Sequence, residues 1–166
     1  MFGLEMDQLA KIKVIGVGGG GGNAVQHMWE EGVKNVTFLV ANTDSQVLKA
    51  NLVPNKMQIG SGLGTGGIPE LGREMAEASI DDIKAMFDDD TKMVFITAGM
   101  GGGTGTGAAP VIARVAREMD ILTVGVVTLP FRMEGKRRID KALKGMDDLR
   151  KCVDSLIVIN NEKLLV

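Results

Sequence analysis

The sequence has one cysteine, Cys152, and one histidine, His27, in 166 residues. A lone cysteine cannot close an internal disulfide, and a lone histidine without further ligands at metal-binding spacing points away from a zinc site. No apolar run approaches the roughly 18 residues that a membrane span requires. The opening segment, MFGLEMDQLAKIK, lacks the apolar core and small-residue cleavage site of a secretory leader. A cytoplasmic location is therefore expected, with any membrane association made through partners and not by direct insertion. Neither sign of charge dominates, since 19 basic residues face 21 acidic ones for a net charge of −2, spread along the chain. That balance offers no continuous cationic face to a nucleic-acid backbone, so nucleic acid is not an expected partner. Internal repeats, low-complexity tails and linkers are also missing. With 45% hydrophobic residues, residues 1–166 are expected to form a single domain, because a chain of this length can bury roughly two-thirds of its unfolded surface.

What the sequence does have is glycine, 23 of them, concentrated at 16–22, 60–72 and 99–107. Around these clusters, short β-branched apolar runs alternate with longer amphipathic stretches. The runs at 12–17, 36–41, 56–59, 93–98, 121–128 and 155–159 predict strands, and their near-continuous apolar character predicts central strands buried on both faces. Helices are predicted near 21–32, 44–50, 69–87, 104–118 and 134–152. The helix near 69 opens with Pro69 and carries Glu70 and Glu74 early, as suits a positive helix start. The expected fold class is α/β, a doubly wound and mainly parallel sheet of about six strands with helices on both faces.

The first glycine cluster, GVGGGGGN from Gly16 to Asn23, lies directly between a predicted strand and a predicted helix. It satisfies GxGxxG at Gly16, Gly18 and Gly21, a spacing that lets the backbone approach a pyrophosphate at a helix start. Asp44 follows the second strand where a dinucleotide fold holds ribose hydroxyls, so a nicotinamide cofactor and other phosphate ligands both remain open at this point. A purely structural glycine turn has little to offset the entropy of five successive glycines. The second cluster, AGMGGGTGTGAAP from Ala98 to Pro110, again follows an apolar strand and leads into a helix. A nicotinamide site needs no second phosphate cradle of this length, whereas a nucleoside triphosphate has more charge and more oxygens to satisfy. Backbone amides freed by Gly102, Gly103 and Gly105, with the hydroxyls of Thr104 and Thr106, can supply the donors. Neither cluster contains GxxxxGK[ST], so this is not a Walker-type site and phosphate charge must be met by backbone dipoles and a cation.

GGGTGTG at 101–107 closely resembles the signature of the tubulin/FtsZ family of GTPases. GVGGGGGNA at 16–24, NTD at 42–44 and PFRMEGKRR at 130–138 resemble the same family in the same order. The resemblance covers essentially the whole chain. It implies that Gly19, Gly20, Gly21 and Gly22 with Asn23 wrap the phosphates of GTP or GDP, and that Gly103, Thr104 and Gly105 hold the β- and γ-phosphate region, with Gly102 and Thr106 also in the nucleotide site. It further implies that Glu134 and Arg138, in the segment opened by Pro130, contact the ribose; their i, i+4 spacing predicts one helical face. Asn42 and Asp44 match the loop beside the sugar, and Asn161 matches an asparagine near the base. No direct side-chain metal ligand is implied, and Mg²⁺ is expected to neutralise phosphate charge. Residues 60–70, GSGLGTGGIPE, resemble the loop that senses the γ-phosphate, in a form several residues shorter. The resemblance also implies a full-length GTPase that forms head-to-tail filaments in the division ring, with other division proteins and membrane tethers as partners.

The chain ends at Leu164-Leu165-Val166, where a helix is about to begin. On the resemblance, the family's core helix and its C-terminal GTPase-activating domain are expected to be absent, and with them the acidic loop that completes hydrolysis at a subunit junction. No catalytic residue is therefore expected in this chain. It should bind GTP weakly at best and turn it over slowly or not at all. Two other classes compete with this reading: an NAD-dependent oxidoreductase domain, and a binding-only fragment that occupies a filament end. The remaining singular residues read as structural: His27 and Trp29 on a helix surface, Cys152 as a small core residue, eleven methionines as core filler, and Lys136 and Arg137 as a solvated helix face.

Overall fold

The computed structural model describes residues 11–87 and 90–160. Six strands form one sheet: β1 Ile12–Val17, β2 Thr37–Asn42, β3 Lys56–Gln58, β4 Met93–Gly99, β5 Leu122–Leu129 and β6 Ser155–Asn160. Their order is β3-β2-β1-β4-β5-β6 and every pairing is parallel. Parallel neighbours require crossovers, and these supply the helices: α1 Gly18–Glu30, α2 Ser45–Ala50, α3 Pro69–Ala78, α4 Ile80–Met86, α5 Thr104–Glu118 and α6 Lys136–Arg150. The doubly wound α/β class predicted from the sequence is the one observed.

Successive residues of each strand point to opposite faces, and the two faces have separate cores. Val14, Phe38 and Val40 pack with Val25 of α1 and Leu48 of α2 on one side. Ile15, Val17, Leu39 and Ile96 pack on the other side, with Ala76 of α3, Ile83 of α4, Ile112 of α5 and Leu149 of α6. Chain order reverses direction between β1 and β4, which places a topological switch point at the carboxyl ends of those two strands. Both long glycine clusters lie there, one after β1 and one after β4.

The structure differs from expectation in four places. α1 begins at Gly18 and takes the glycine run as its first turns, despite the poor helix propensity of glycine. The helix predicted over 69–87 is broken at Ser79, whose hydroxyl donates back to the Met75 carbonyl at 2.9 Å, a bond that competes with helical continuation. The helix predicted from 134 is a short 3₁₀ turn, Arg132–Glu134, then Gly135 at φ +99°, and only then α6. Glu134 and Arg138 therefore do not share one continuous helix. Finally, β3 and β6 are the edge strands of the sheet and not strands buried on both faces: Lys56 and Gln58 of β3 are exposed, and Ile157 of β6 is 49% exposed. No helix of the described residues is long and apolar enough to cross a membrane.

Candidate nucleotide-binding cleft

A cleft of about 280 Å³ opens at the switch point. Gly18, Gly19 and Gly20 of α1 form one wall, and Gly99, Met100 and Gly102 to Gly105 form the facing wall. Two helices, α1 and α5, start at this cleft. Among the described residues, neither has a side-chain cap or an acidic residue in its first turn. The first amides of a helix have no partner within it, and its dipole leaves partial positive charge at that end. Two such ends aimed into one cleft make a polar, electropositive cradle that needs no lysine.

The cradle depends on close backbone approach. Gly18, at φ +76°, faces Gly105 so closely that a Cβ would stand 3.0 Å from the Gly105 nitrogen. A Cβ on Gly105 would lie 2.8 Å from the Gly99 oxygen, and one on Gly103 would collide with the Thr65 hydroxyl at 1.9 Å. By contrast, Gly19 and Gly102 have open space where a Cβ would project. Side chains fix the second loop from behind. The Thr43 and Thr104 hydroxyls share a buried hydrogen bond of 2.6 Å, and the Thr106 hydroxyl accepts from the Gly101 amide at 2.8 Å. The Met100 amide donates to the Thr128 carbonyl at 2.9 Å. The loop over 60–68 is tied to the end of β2 by Gly64 N–H to Thr43 O and Ser45 N–H to Gly62 O, both 3.0 Å.

Of the residues singled out from the sequence, Gly19, Gly20, Gly102, Gly103, Thr104, Gly105, Pro130, Glu134 and Arg138 line this cleft. Glu134 and Arg138 face each other across the 3₁₀ turn, with Nε to Oε1 at 3.4 Å. Others stand behind it. Gly21 is buried against the Thr97 carbonyl, and Gly22 against Asn51. Asn23 is exposed on α1. Asn42 accepts from the Asp44 amide at 3.2 Å, and Asp44 caps α2 by accepting from Gln46 N–H at 2.9 Å and Val47 N–H at 3.3 Å. Thr106 faces the opposite side of α5. Asn161 lies outside the described residues. Sequence reasoning did not select Gly18, Thr65 or Thr128, which also line the cleft. Gly18 was signalled by its place in GxGxxG, whereas Thr65 and Thr128 carry no local signature and arrive through the fold.

Elsewhere, His27 lies 3.8 Å from Glu31 on an exposed helix surface, and Trp29 is 38% exposed. Cys152 is partly buried, and burial pushes its thiol above the ordinary range.

Comparison with known proteins agrees with this geometry. Residues 11–166 match the Tubulin/FtsZ family, GTPase domain. The chain is 58% identical to the cell division protein FtsZ of Porphyromonas gingivalis over 160 residues, 93% of this chain and 35% of that protein. It is 58% identical to that of Aquifex aeolicus over 158 residues, 93% of this chain and 43% of that protein. It therefore spans between 35% and 43% of the length of these relatives. Among solved structures, an empty FtsZ dimer from M. jannaschii superposes with a TM-score of 0.90 at 47% identity, covering 94% of this chain and 46% of that one. A GTPγS-bound protofilament of CetZ2 from Haloferax volcanii superposes at 0.81 with 28% identity, covering 92% of this chain and 49% of that one. None of these matches supports an NAD-dependent oxidoreductase.

Proposed function

The chain belongs to the Tubulin/FtsZ family, GTPase domain, and from that premise we propose that it binds GTP and GDP in the cleft between its two glycine loops. One observation carries the proposal: two uncapped helix starts, α1 and α5, converge on one cleft at the switch point between β1 and β4. The fit rests on space as well as charge, since the cradle closes only because Gly18, Gly103 and Gly105 carry no Cβ.

In this proposal, the amides of Gly19, Gly20 and Gly102 to Gly105 donate to the phosphates, with the Thr104 hydroxyl beside them. Glu134 and Arg138 bind on the ribose side near Pro130. Asn42 and Asp44 act from behind by shaping the loop after β2, while Gly21 and Gly22 set how close α1 comes to the sheet. Mg²⁺ would accompany the triphosphate and neutralise part of its charge, held largely by phosphate oxygens and water, as that ion prefers.

For the whole protein the proposal extends to hydrolysis of GTP to GDP and phosphate, and to head-to-tail assembly in a cytoplasmic division ring with tethering partners. The names of the relatives support that extension: cell division proteins, a dimer and a protofilament. A heterologous contact that does not close on itself generates such a filament.

Calorimetric titration with GTP, ATP and NAD in parallel, with Mg²⁺ present, tests the binding step. Heat from GTP alone is the expected result. Binding of NAD without response to GTP would overturn the proposal.

A further inference from the structure

A second cavity, about 250 Å³, lies on the far side of α5 from the cleft, between α3, α5 and α6. Five cations line it, Arg73, Arg114, Lys141, Lys144 and Lys151, against three carboxylates, Glu70, Glu77 and Asp148. The groove thus carries a net charge of +2 in a chain whose total is −2. Its cations are unevenly engaged. Arg114 is neutralised by a bidentate pair with Glu77, both bonds 2.8 Å, and Lys141 donates to the Gly67 carbonyl at 2.9 Å. Arg73, Lys144 and Lys151 make no hydrogen bond or ion pair with the described residues. The walls also hold Pro110, Val111 and Cys152, a low-dielectric lining that strengthens the field of the charges around it. The Cys152 thiol registers that field. Burial is the largest influence and raises it, Asp148 also raises it, and Arg114, Arg117 and Arg73 pull it the other way.

We propose that this groove is a second anion site, which takes a small phosphate polyanion of two or more negative charges. Arg73 from α3 and Lys144 and Lys151 from α6 and its C-terminal end, none of them in an ion pair with the described residues, converge on the groove and suit phosphate oxygens, and the guanidinium fork suits them best. A ligand of that charge would offset the local excess that the protein itself leaves uncompensated. The cavity is too small for a folded partner, and its walls come from packed helices, so the site is preformed. This assignment does not depend on what fills the glycine cleft.

Cys152 is the only cysteine of the chain and lines the groove, so it reports occupancy directly. The experiment follows the rate of Cys152 alkylation by iodoacetamide at mildly alkaline pH, with inorganic pyrophosphate titrated against sodium chloride at matched ionic strength. Pyrophosphate is expected to slow the reaction about tenfold at a concentration of about ten times its Kd, while chloride does not. The substitutions Lys144→Glu and Lys151→Glu, both on exposed positions outside the glycine cleft, are expected to abolish protection and leave GTP binding intact. Equal protection by chloride, protection that survives both charge reversals, or no protection at all would each overturn the proposal.

Discussion

A Cβ added to Gly21 would stand 2.3 Å from the Thr97 carbonyl oxygen, whereas one added to Gly19 would meet nothing within 4 Å. Two glycines of the same run therefore have different reasons to lack a side chain. Gly21 lets α1 lie against β4, and Gly19 leaves its space open to the cleft. The substitution Gly21→Ala is expected to destabilise the fold by about 1–3 kcal/mol, because the obstacle is backbone that cannot rotate away. Gly19→Ala is expected to leave the fold as stable or add up to about 1 kcal/mol, since alanine is the better helix former, while weakening nucleotide binding by about tenfold or more. Urea denaturation together with GTP titration of both variants separates the two effects. Thr43 offers a third case. It is fully buried, and its hydroxyl shares a hydrogen bond with Thr104 on the cleft wall. Thr43→Val is expected to cost about 1–3 kcal/mol, the penalty for a buried polar partner left unsatisfied, read in the same denaturation assay.

Elements carry the next level of organisation, and here the sequence was legible to different depths. Each strand lies within a residue or two of its predicted place, because a buried parallel strand writes a dense apolar run. The termini of the helices were less legible. The break at Ser79 depends on a single back-bond to Met75, and the 3₁₀ turn before α6 depends on the conformation of Gly135. Neither leaves a periodic trace. The cleft was half legible: the glycine clusters announced a phosphate cradle, but the neighbouring strand decides which glycines face it. A test at this scale concerns the seam between α3 and α5. Two hydrogen bonds from Arg114 hold the Glu77 carboxyl below its ordinary value. A depressed carboxylate stabilises the fold above its unfolded pKa, and that contribution fades as pH falls through the folded value. Both side chains are more than one-third exposed, so solvent screening limits the pair to about 0.5 kcal/mol. Glu77→Gln is expected to lower stability by about that amount at pH 7 and by nothing at a second pH below the depressed folded value, where the wild-type carboxyl is also neutral. Chemical denaturation at the two pH values checks it.

At the scale of the whole molecule, one sheet joins the two halves of the cleft. β1 delivers the first glycine loop and β4 the second. The two strands are adjacent and in register from Ile12 with Met93 to Val17 with Ala98. Anything that pulls the two loops together therefore opposes separation of the central strands, so ligand binding and global unfolding are linked. A ligand that binds only the folded state stabilises it by RT ln(1 + [L]/Kd), about 2.7 kcal/mol at a concentration of about 100 times Kd. For a domain of this size, each kcal/mol moves the melting temperature by about 2–4 °C, so saturating GTP with Mg²⁺ is expected to raise it by about 5–11 °C. NAD is expected to leave it in place. Gly19→Ala should melt normally without ligand yet lose about half of the GTP shift or more, because its fold is intact and its cradle is narrowed. Gly21→Ala should show the reverse, a low melting temperature that GTP partly restores by mass action. Differential scanning calorimetry of the three proteins with and without nucleotide reads all of these outcomes. A cooperative melt that GTP does not move in the wild type would mean that the folded chain does not bind the nucleotide, and the convergent helix starts would then not form its site.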